Sequence, residues 1–61
     1  MSEPDFPVGT KVLSHLFHDP DKPKTVHSAT WDGAEYAYVL IDDEGVYDEG
    51  YFVHHLRGAN Q

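Results

Sequence analysis

Residues Thr25 to Ile41, TVHSATWDGAEYAYVLI, carry the strongest structural signal in this chain. Thr25 to Trp31 is rich in β-branched residues, and Asp32-Gly33 is a strong hairpin signal because these two residue types accept the backbone angles of a tight turn. Tyr36 to Ile41 then has the composition of a returning strand. Because this strand is apolar on both faces, the sequence predicts that it lies centrally in a closed or covered sheet.

Shorter strand-like segments flank this hairpin. Lys11 to Phe17 is predicted as a first strand, followed by a loop over residues 18–24 that contains two prolines. After the hairpin, residues 42–45 form a predicted turn, 46–49 a short strand, Gly50 a break or bulge, and 51–56 a last strand, with one helical turn near 50–53 as an alternative. Residues 1–7 are predicted to be an extended lead-in, and 57–61 a frayed tail.

The chain is short for an independently folding domain. Its 61 residues predict a single domain spanning 1–61, and the absence of cysteine excludes both disulfide bonds and thiolate metal sites. Four or five short strands in so few residues predict an all-β fold, a small barrel, because closure removes the sheet edges that would otherwise be exposed. A homodimer that completes the core is the other arrangement that the sequence leaves open.

The charge of the chain is strongly negative. Four Lys plus Arg against eleven Asp plus Glu give a formal net charge of −7, which argues against direct binding to nucleic acid or to an anionic membrane. A basic protein surface, or a protein that itself binds nucleic acid, is the predicted partner. The first residues carry neither a basic start nor an apolar run, so we predict a cytoplasmic location.

The order of these segments resembles the SH3-like small barrels, including Tudor-type and KOW-type domains. The resemblance covers residues 7–57 and rests on strand lengths and turn positions. Its elements are Gly9-x-x-Val12, a proline-containing loop, Val26 to Trp31, Tyr36-x-Tyr38-x-Leu40, an acidic glycine turn, and Glu49 ahead of Leu56. The chain departs from KOW domains in being acidic where the members that bind RNA or ribosomes are usually basic. It departs from Tudor domains in its irregular first strand.

Motifs for metal binding and catalysis do not fit the spacing. If Gly45 is aligned with the invariant glycine of an EF-hand loop, Leu40 and Tyr51 fall at positions that require oxygen ligands. His54 and His55 would point to opposite faces of a strand, and no spacing supports a site made of His15, His27 and His55. The sequence contains no nucleophile elbow and no phosphate-binding loop. We therefore expect no enzyme activity, no cofactor and no metal.

The aromatic residues of the acidic segment are the candidate binding residues. Residues 25–56 contain seven acids and no Lys or Arg, interleaved with aromatic residues that a solvated tail would lack. On the central strand, Ala37, Val39 and Ile41 are expected to face the core, which would leave Tyr36 and Tyr38 partly exposed. The predicted partner-binding residues are Trp31, Tyr36, Tyr38, Asp42, Asp43, Glu44, Tyr47, Asp48 and Glu49.

Three functions are consistent with this surface. The first is a non-catalytic protein-interaction module that docks its acidic, aromatic face on a basic protein. The second is a nucleic-acid mimic, an acidic inhibitor of the kind that phages make to block a host protein. The third is implied by the resemblance to Tudor domains: Trp31, Tyr38 and Tyr47 would form a cage for methylated Lys or Arg, with Asp48 as counter-charge. Alternatively, Trp31 closes one barrel end and the tyrosines cover apolar edges.

Overall fold

The protein is all-β. The computed structural model describes residues 3–59, which form one five-stranded antiparallel sheet with the strand order β4-β3-β2-β1-β5. A 3-10 turn at Val53–His55 separates the last two strands. The strands are β1 (Lys11–Leu13), β2 (Lys24–Trp31), β3 (Tyr36–Ile41), β4 (Tyr47–Phe52) and β5 (Arg57–Gly58).

The central hairpin forms where the sequence predicts it. Trp31 pairs with Tyr36 across a four-residue loop. The Asp32 side chain holds this loop by accepting hydrogen bonds from the backbone N–H groups of Ala34 and Glu35, both at 2.9 Å. Gly33 has a φ of +106°, a value that residues with a Cβ rarely adopt. The Asp-Gly prediction is therefore confirmed. The aspartate accepts the hydrogen bonds of the loop, and the glycine adopts its positive φ.

Two bulges adjust which residues face the interior. Val26 pairs with Leu40 while Ser28 pairs with Val39, so His27 is an extra residue on β2. On the other side of β3, Tyr38 pairs with Tyr51 and Leu40 with Asp48, which leaves an extra residue in the segment Glu49-Gly50. Because side chains alternate between the two faces of a strand, each extra residue moves the side chains after it to the opposite face.

The core lies on one face of the sheet. Its buried members are Val12, Phe17, Val26, Tyr38, Leu40, Tyr51 and Leu56, with Phe6, Ala29, Tyr36 and Val53 packed against them. The expectation for the central strand is therefore wrong, because Tyr38 and Leu40 are 1% and 0% exposed and Ala37, Val39 and Ile41 lie on the other face. A buried tyrosine needs a partner for its hydroxyl, and the Tyr38 hydroxyl accepts a hydrogen bond from the backbone N–H of Phe6 at 3.4 Å.

The first predicted strand is too long. β1 ends at Leu13, and a turn follows in which the buried Ser14 accepts a hydrogen bond from the N–H of Leu16 at 3.1 Å. This turn brings Phe17 back to the core, where its ring meets that of Tyr51 edge to face with centroids 5.4 Å apart. Burial of Phe17 therefore overrides the extended preference of the segment.

The C-terminal segment also differs from the prediction. The predicted strand 51–56 continues only to Phe52, because the 3-10 turn bends the chain before the buried Leu56. Arg57–Gly58 then pairs with β1, and the N–H of Ala59 donates to the Lys11 carbonyl at 3.0 Å. The predicted fraying is wrong for residues 57–59, and residues 60–61 lie outside the described part. Of the predicted lead-in, residues 1–2 lie outside it as well.

The folded chain is small, with a Cα radius of gyration of 10.7 Å and principal extents of 31, 23 and 18 Å. Within residues 3–59, no helix has the length and apolar character needed to cross a membrane.

Candidate functional site

One aromatic pair lies at the Asp32 end of the central hairpin. Trp31 is 42% exposed, and its ring meets the half-buried ring of Tyr36 edge to face with centroids 5.1 Å apart. Glu35 is in the same loop, and its Oε1 lies 3.8 Å from Nδ1 of His54 in the 3-10 turn. The aromatic pair is itself partly engaged with the fold, because Tyr36 packs against the core cluster.

A second apolar site lies at the opposite end of β3. Tyr47 is 60% exposed and Val46 is 56% exposed, immediately after the acidic turn at residues 42–45. The Tyr47 ring rests edge to face on His27, the extra residue of the β2 bulge, with centroids 4.9 Å apart. The Tyr47 ring therefore contacts His27 while most of it stays in contact with solvent.

The three aromatic residues of the predicted cage do not come together. Tyr38 is in the core, whereas Trp31 and Tyr47 pair with the first and last residues of β3, which are about 17 Å apart for a six-residue strand. Asp48, the predicted counter-charge, forms an ion pair with Lys24. The cage and the assignment of Tyr38 to a partner surface are therefore both wrong, because the face carrying Tyr38 is the one that packs.

Asp42 is a structural residue of the acidic turn. Its Oδ1 accepts hydrogen bonds from the backbone N–H groups of Glu44 and Val46, both at 2.9 Å. The Val46 hydrogen bond is the main cause that lowers the pKa of Asp42 below its usual value, with smaller contributions from the Glu44 N–H and the Lys24 charge. At the other turn, Asp32 has a pKa lowered chiefly by the backbone N–H of Glu35. Both carboxylates stabilise their own loops.

Asp48 is also engaged within the fold. Its Oδ2 lies 3.0 Å from Nζ of Lys24 and accepts a hydrogen bond from the Tyr51 hydroxyl at 2.9 Å. The same Lys24 Nζ lies 4.9 Å from the centroid of the Phe17 ring. Burial, followed by the hydrogen bond to Asp48, raises the pKa of Tyr51 to about 12. This cluster links β2 to β4 and covers one edge of the core.

The remaining predicted acids are exposed. Asp43, Glu44 and Glu49 form no ion pair or side-chain hydrogen bond within residues 3–59. Asp43 and Glu44 line a groove of about 440 Å³ whose lining also includes Lys11, Lys22 and Lys24. The acidic turn therefore has a positive border on one side, which the segregation of charge along the sequence does not indicate.

The histidines are closer together than the sequence suggests. His54 and His55 belong to the 3-10 turn and not to a strand, and their ring centroids are 4.0 Å apart. His15 lines a groove with both of them, whereas His27 lies at Tyr47. His55 Nδ1 accepts a hydrogen bond from the Phe52 N–H at 3.2 Å. In the described part of the chain, no group of three or more His, Asp or Glu is placed to hold a metal ion.

The fold also presents a surface whose central residues are not among the predicted binding residues. Ala37, Val39 and Ile41 project from the sheet away from the core, with Phe52 opposite Ala37 and Tyr47 opposite Ile41. We call these five residues the outer face. The signal for it is present in the sequence, since β3 is apolar on both sides, but that pattern equally fits a strand covered on both sides.

Comparison with known proteins does not assign a family: no family model, no curated protein and no solved structure matches the chain.

Proposed function

We propose that this chain is a non-catalytic protein-interaction module that binds a basic protein surface. The binding residues are Val46 and Tyr47 together with the carboxylates of Asp43, Glu44 and Glu49, and we call this set the Tyr47 site. The observation that carries the proposal is the exposure of Val46 and Tyr47, at 56% and 60%, beside carboxylates that the fold does not use.

The two kinds of side chain have different roles. The tyrosine ring supplies apolar area and a hydroxyl at low cost in conformational entropy, because a tyrosine side chain has only two rotatable angles. The carboxylates attract a cationic partner and orient its approach. The lysines across the groove repel the same partner, so it would bind over Tyr47 and not across the groove.

The nucleic-acid mimic is the second candidate, supported by the net charge of −7. A mimic needs rows of carboxylates at phosphate-like spacing, and two of the predicted acids, Asp42 and Asp48, instead hold the turn and the Lys24 cluster. A mimic would compete with DNA or RNA for its target, and its affinity would fall steeply with salt. The methyl-lysine reader is not supported, since its cage residues lie apart.

For the fold, we propose the SH3-like small barrel. The support is the strand order, in which β1 pairs with β2 on one side and with β5 on the other, so that the short strands from both ends of the chain are joined. The smallest Cα extent of 18 Å also favours a curled sheet, because the backbone of one flat sheet would be much thinner. A cytoplasmic location remains a prediction of the sequence.

A random-peptide library displayed on phage tests the proposed function. Selection on the immobilised chain should enrich peptides that combine Lys or Arg with apolar residues. A synthetic copy of the most enriched peptide should lose about tenfold or more in affinity when Tyr47 is changed to Ala. The triple change Asp43→Asn, Glu44→Gln and Glu49→Gln should weaken binding and flatten its salt dependence.

A matched variant controls for net charge. Glu3→Gln, Asp5→Asn and Asp21→Asn remove the same number of exposed carboxylates outside the Tyr47 site, and this variant should keep most of the affinity. If the enriched peptides are acidic or neutral, or if the two triple variants weaken binding equally, the Tyr47 site is not the binding surface. If the chain competes with DNA or RNA for binding to a protein, the nucleic-acid mimic is favoured instead.

A further inference from the structure

The outer face is an apolar surface that lies outside the core formed by residues 3–59. Ala37, Val39 and Ile41 are half-buried, and none of them belongs to the core cluster or packs against it. Phe52 is half-buried as well, and its ring is stacked parallel to that of His54 with centroids 6.1 Å apart. Contiguous apolar surface on a sheet is typical of a binding site when the chain leaves it open.

The register shows that this face is continuous and uncharged at its centre. Ala37 is flanked by Thr30 and Phe52, and Ile41 by Thr25 and Tyr47. Val39 is flanked by Ser28 on β2 and by the Glu49-Gly50 bulge on β4. No lysine or arginine is present in these rows, and acids occur only at the β4 edge and in the turn beyond Ile41.

Tyr47 belongs both to this face and to the Tyr47 site, so the two surfaces adjoin. We infer that the outer face and the Tyr47 site form one docking surface, occupied by a polypeptide segment with an apolar centre and Lys or Arg at its end. The apolar centre would cover Val39 and Ile41, and the basic end would reach Asp43, Glu44 and Glu49. This inference rests on the proposed function and adds the character of the partner segment.

Charge complementarity selects this occupant over a second copy of the chain. Two copies packed through their outer faces would bring together two molecules with a formal charge of −7, each with exposed acids at the rim of the contact. Like charges placed across an interface oppose association. A segment with a basic end is instead attracted to the acids at the same rim. Its apolar residues need no charged partner on the outer face.

The double variant Val39→Thr/Ile41→Thr tests this inference. Threonine keeps the β-branched shape that suits a strand but removes apolar surface. The matched control is Val8→Thr/Leu16→Thr, which changes two exposed apolar residues outside the sheet. The probe is the most enriched peptide from the phage library, titrated into isotopically labelled chain while the backbone amide signals are recorded by NMR.

We expect the peptide to shift amide signals of both β3 and residues 43–49, and the outer-face variant to lose about tenfold in affinity while the control variant loses little. If acid and Tyr47 variants weaken binding but the outer-face variant does not, the inference is overturned and the proposed function stands. If none of them weakens binding, both fall. If the free chain sediments as a dimer that the outer-face variant dissociates, the occupant is a second copy and the inference is wrong.

Discussion

Both faces of β3 carry apolar side chains, but only one face is buried in the core. Tyr38 and Leu40 are almost completely buried, whereas Val39 and Ile41, their direct neighbours in sequence, remain half-buried on the outer face. The difference arises from what each face meets, since Val26 and Tyr51 lie beside the first pair in the core, while the second pair is neither part of the core cluster nor packed against it. Alternation along a strand therefore defines two faces but does not decide which one becomes the core.

Truncating neighbouring residues gives the largest expected contrast between the faces. Leu40→Ala should lower the free energy of unfolding by about 2–5 kcal/mol, because it leaves a cavity in the core, and Val39→Ala by roughly 1 kcal/mol or less. Urea denaturation followed by circular dichroism measures both. A domain of this size has little stability to lose, so Leu40→Val, expected to cost about 1 kcal/mol, serves if Leu40→Ala does not fold. Equal losses for Leu40→Ala and Val39→Ala would contradict the assignment of the faces.

Alkaline titration tests the Tyr51 edge of the core. The folded pKa of about 12 exceeds the ordinary value of 10.0, so the neutral phenol is favoured in the folded state. The corresponding stability, roughly 2–3 kcal/mol for a shift of about two units, is fully present below about pH 10 and is lost as the pH rises through about 12. Tyrosinate absorbance and circular dichroism should therefore change together. Asp48→Asn should lower the pKa of Tyr51 only partway, since burial remains its main cause.

The bulge that places Tyr51 in the core provides a smaller effect. Gly50 has a φ of +90°, so Gly50→Ala should cost about 1–2 kcal/mol through backbone strain alone, as open space surrounds the added methyl group. Thermal unfolding measures this loss. Thr30→Ala, at an exposed strand position with ordinary backbone angles, is the control and should change stability less. A Gly50→Ala protein as stable as the wild type would show that the bulge is absent in solution.

Local signals in the sequence predict part of this fold. The β2-β3 hairpin is predictable because Asp32, Gly33 and the strand residues on either side all favour the same local structure. The turn at Ser14 and the pairing of β5 with β1 are not, since they depend on burial of Phe17 and Leu56 against residues distant in sequence. The sequence predicts the wrong inward face for β3, because aliphatic residues are expected in a core in preference to tyrosine, whereas Tyr38 finds a hydrogen-bond partner at Phe6.

Part of the candidate site could also be predicted from the sequence. Of the two tyrosines expected to be partly exposed, Tyr36 is half-buried and Tyr38 is buried. Trp31, Tyr47, Asp43, Glu44 and Glu49, which are also among the predicted binding residues, are exposed. The engagement of Asp48 with Lys24, 24 residues away, could not be read from local patterns. Nor could the lysines bordering the acidic turn, because they precede it by 18 or more positions and meet it only through folding.

Tyrosine nitration with tetranitromethane tests whether Tyr38 and Tyr51 lie in the core while Tyr47 lies on the outer face. In the folded protein, Tyr47, which is 60% exposed, should react first, Tyr36 more slowly, and Tyr38 and Tyr51 last, since they are 1% and 9% exposed. Peptide mapping by mass spectrometry assigns each modified position, and all four tyrosines should react alike in denaturant. Nitration of Tyr38 as fast as Tyr47 in the folded protein would show that Tyr38 is not in the core.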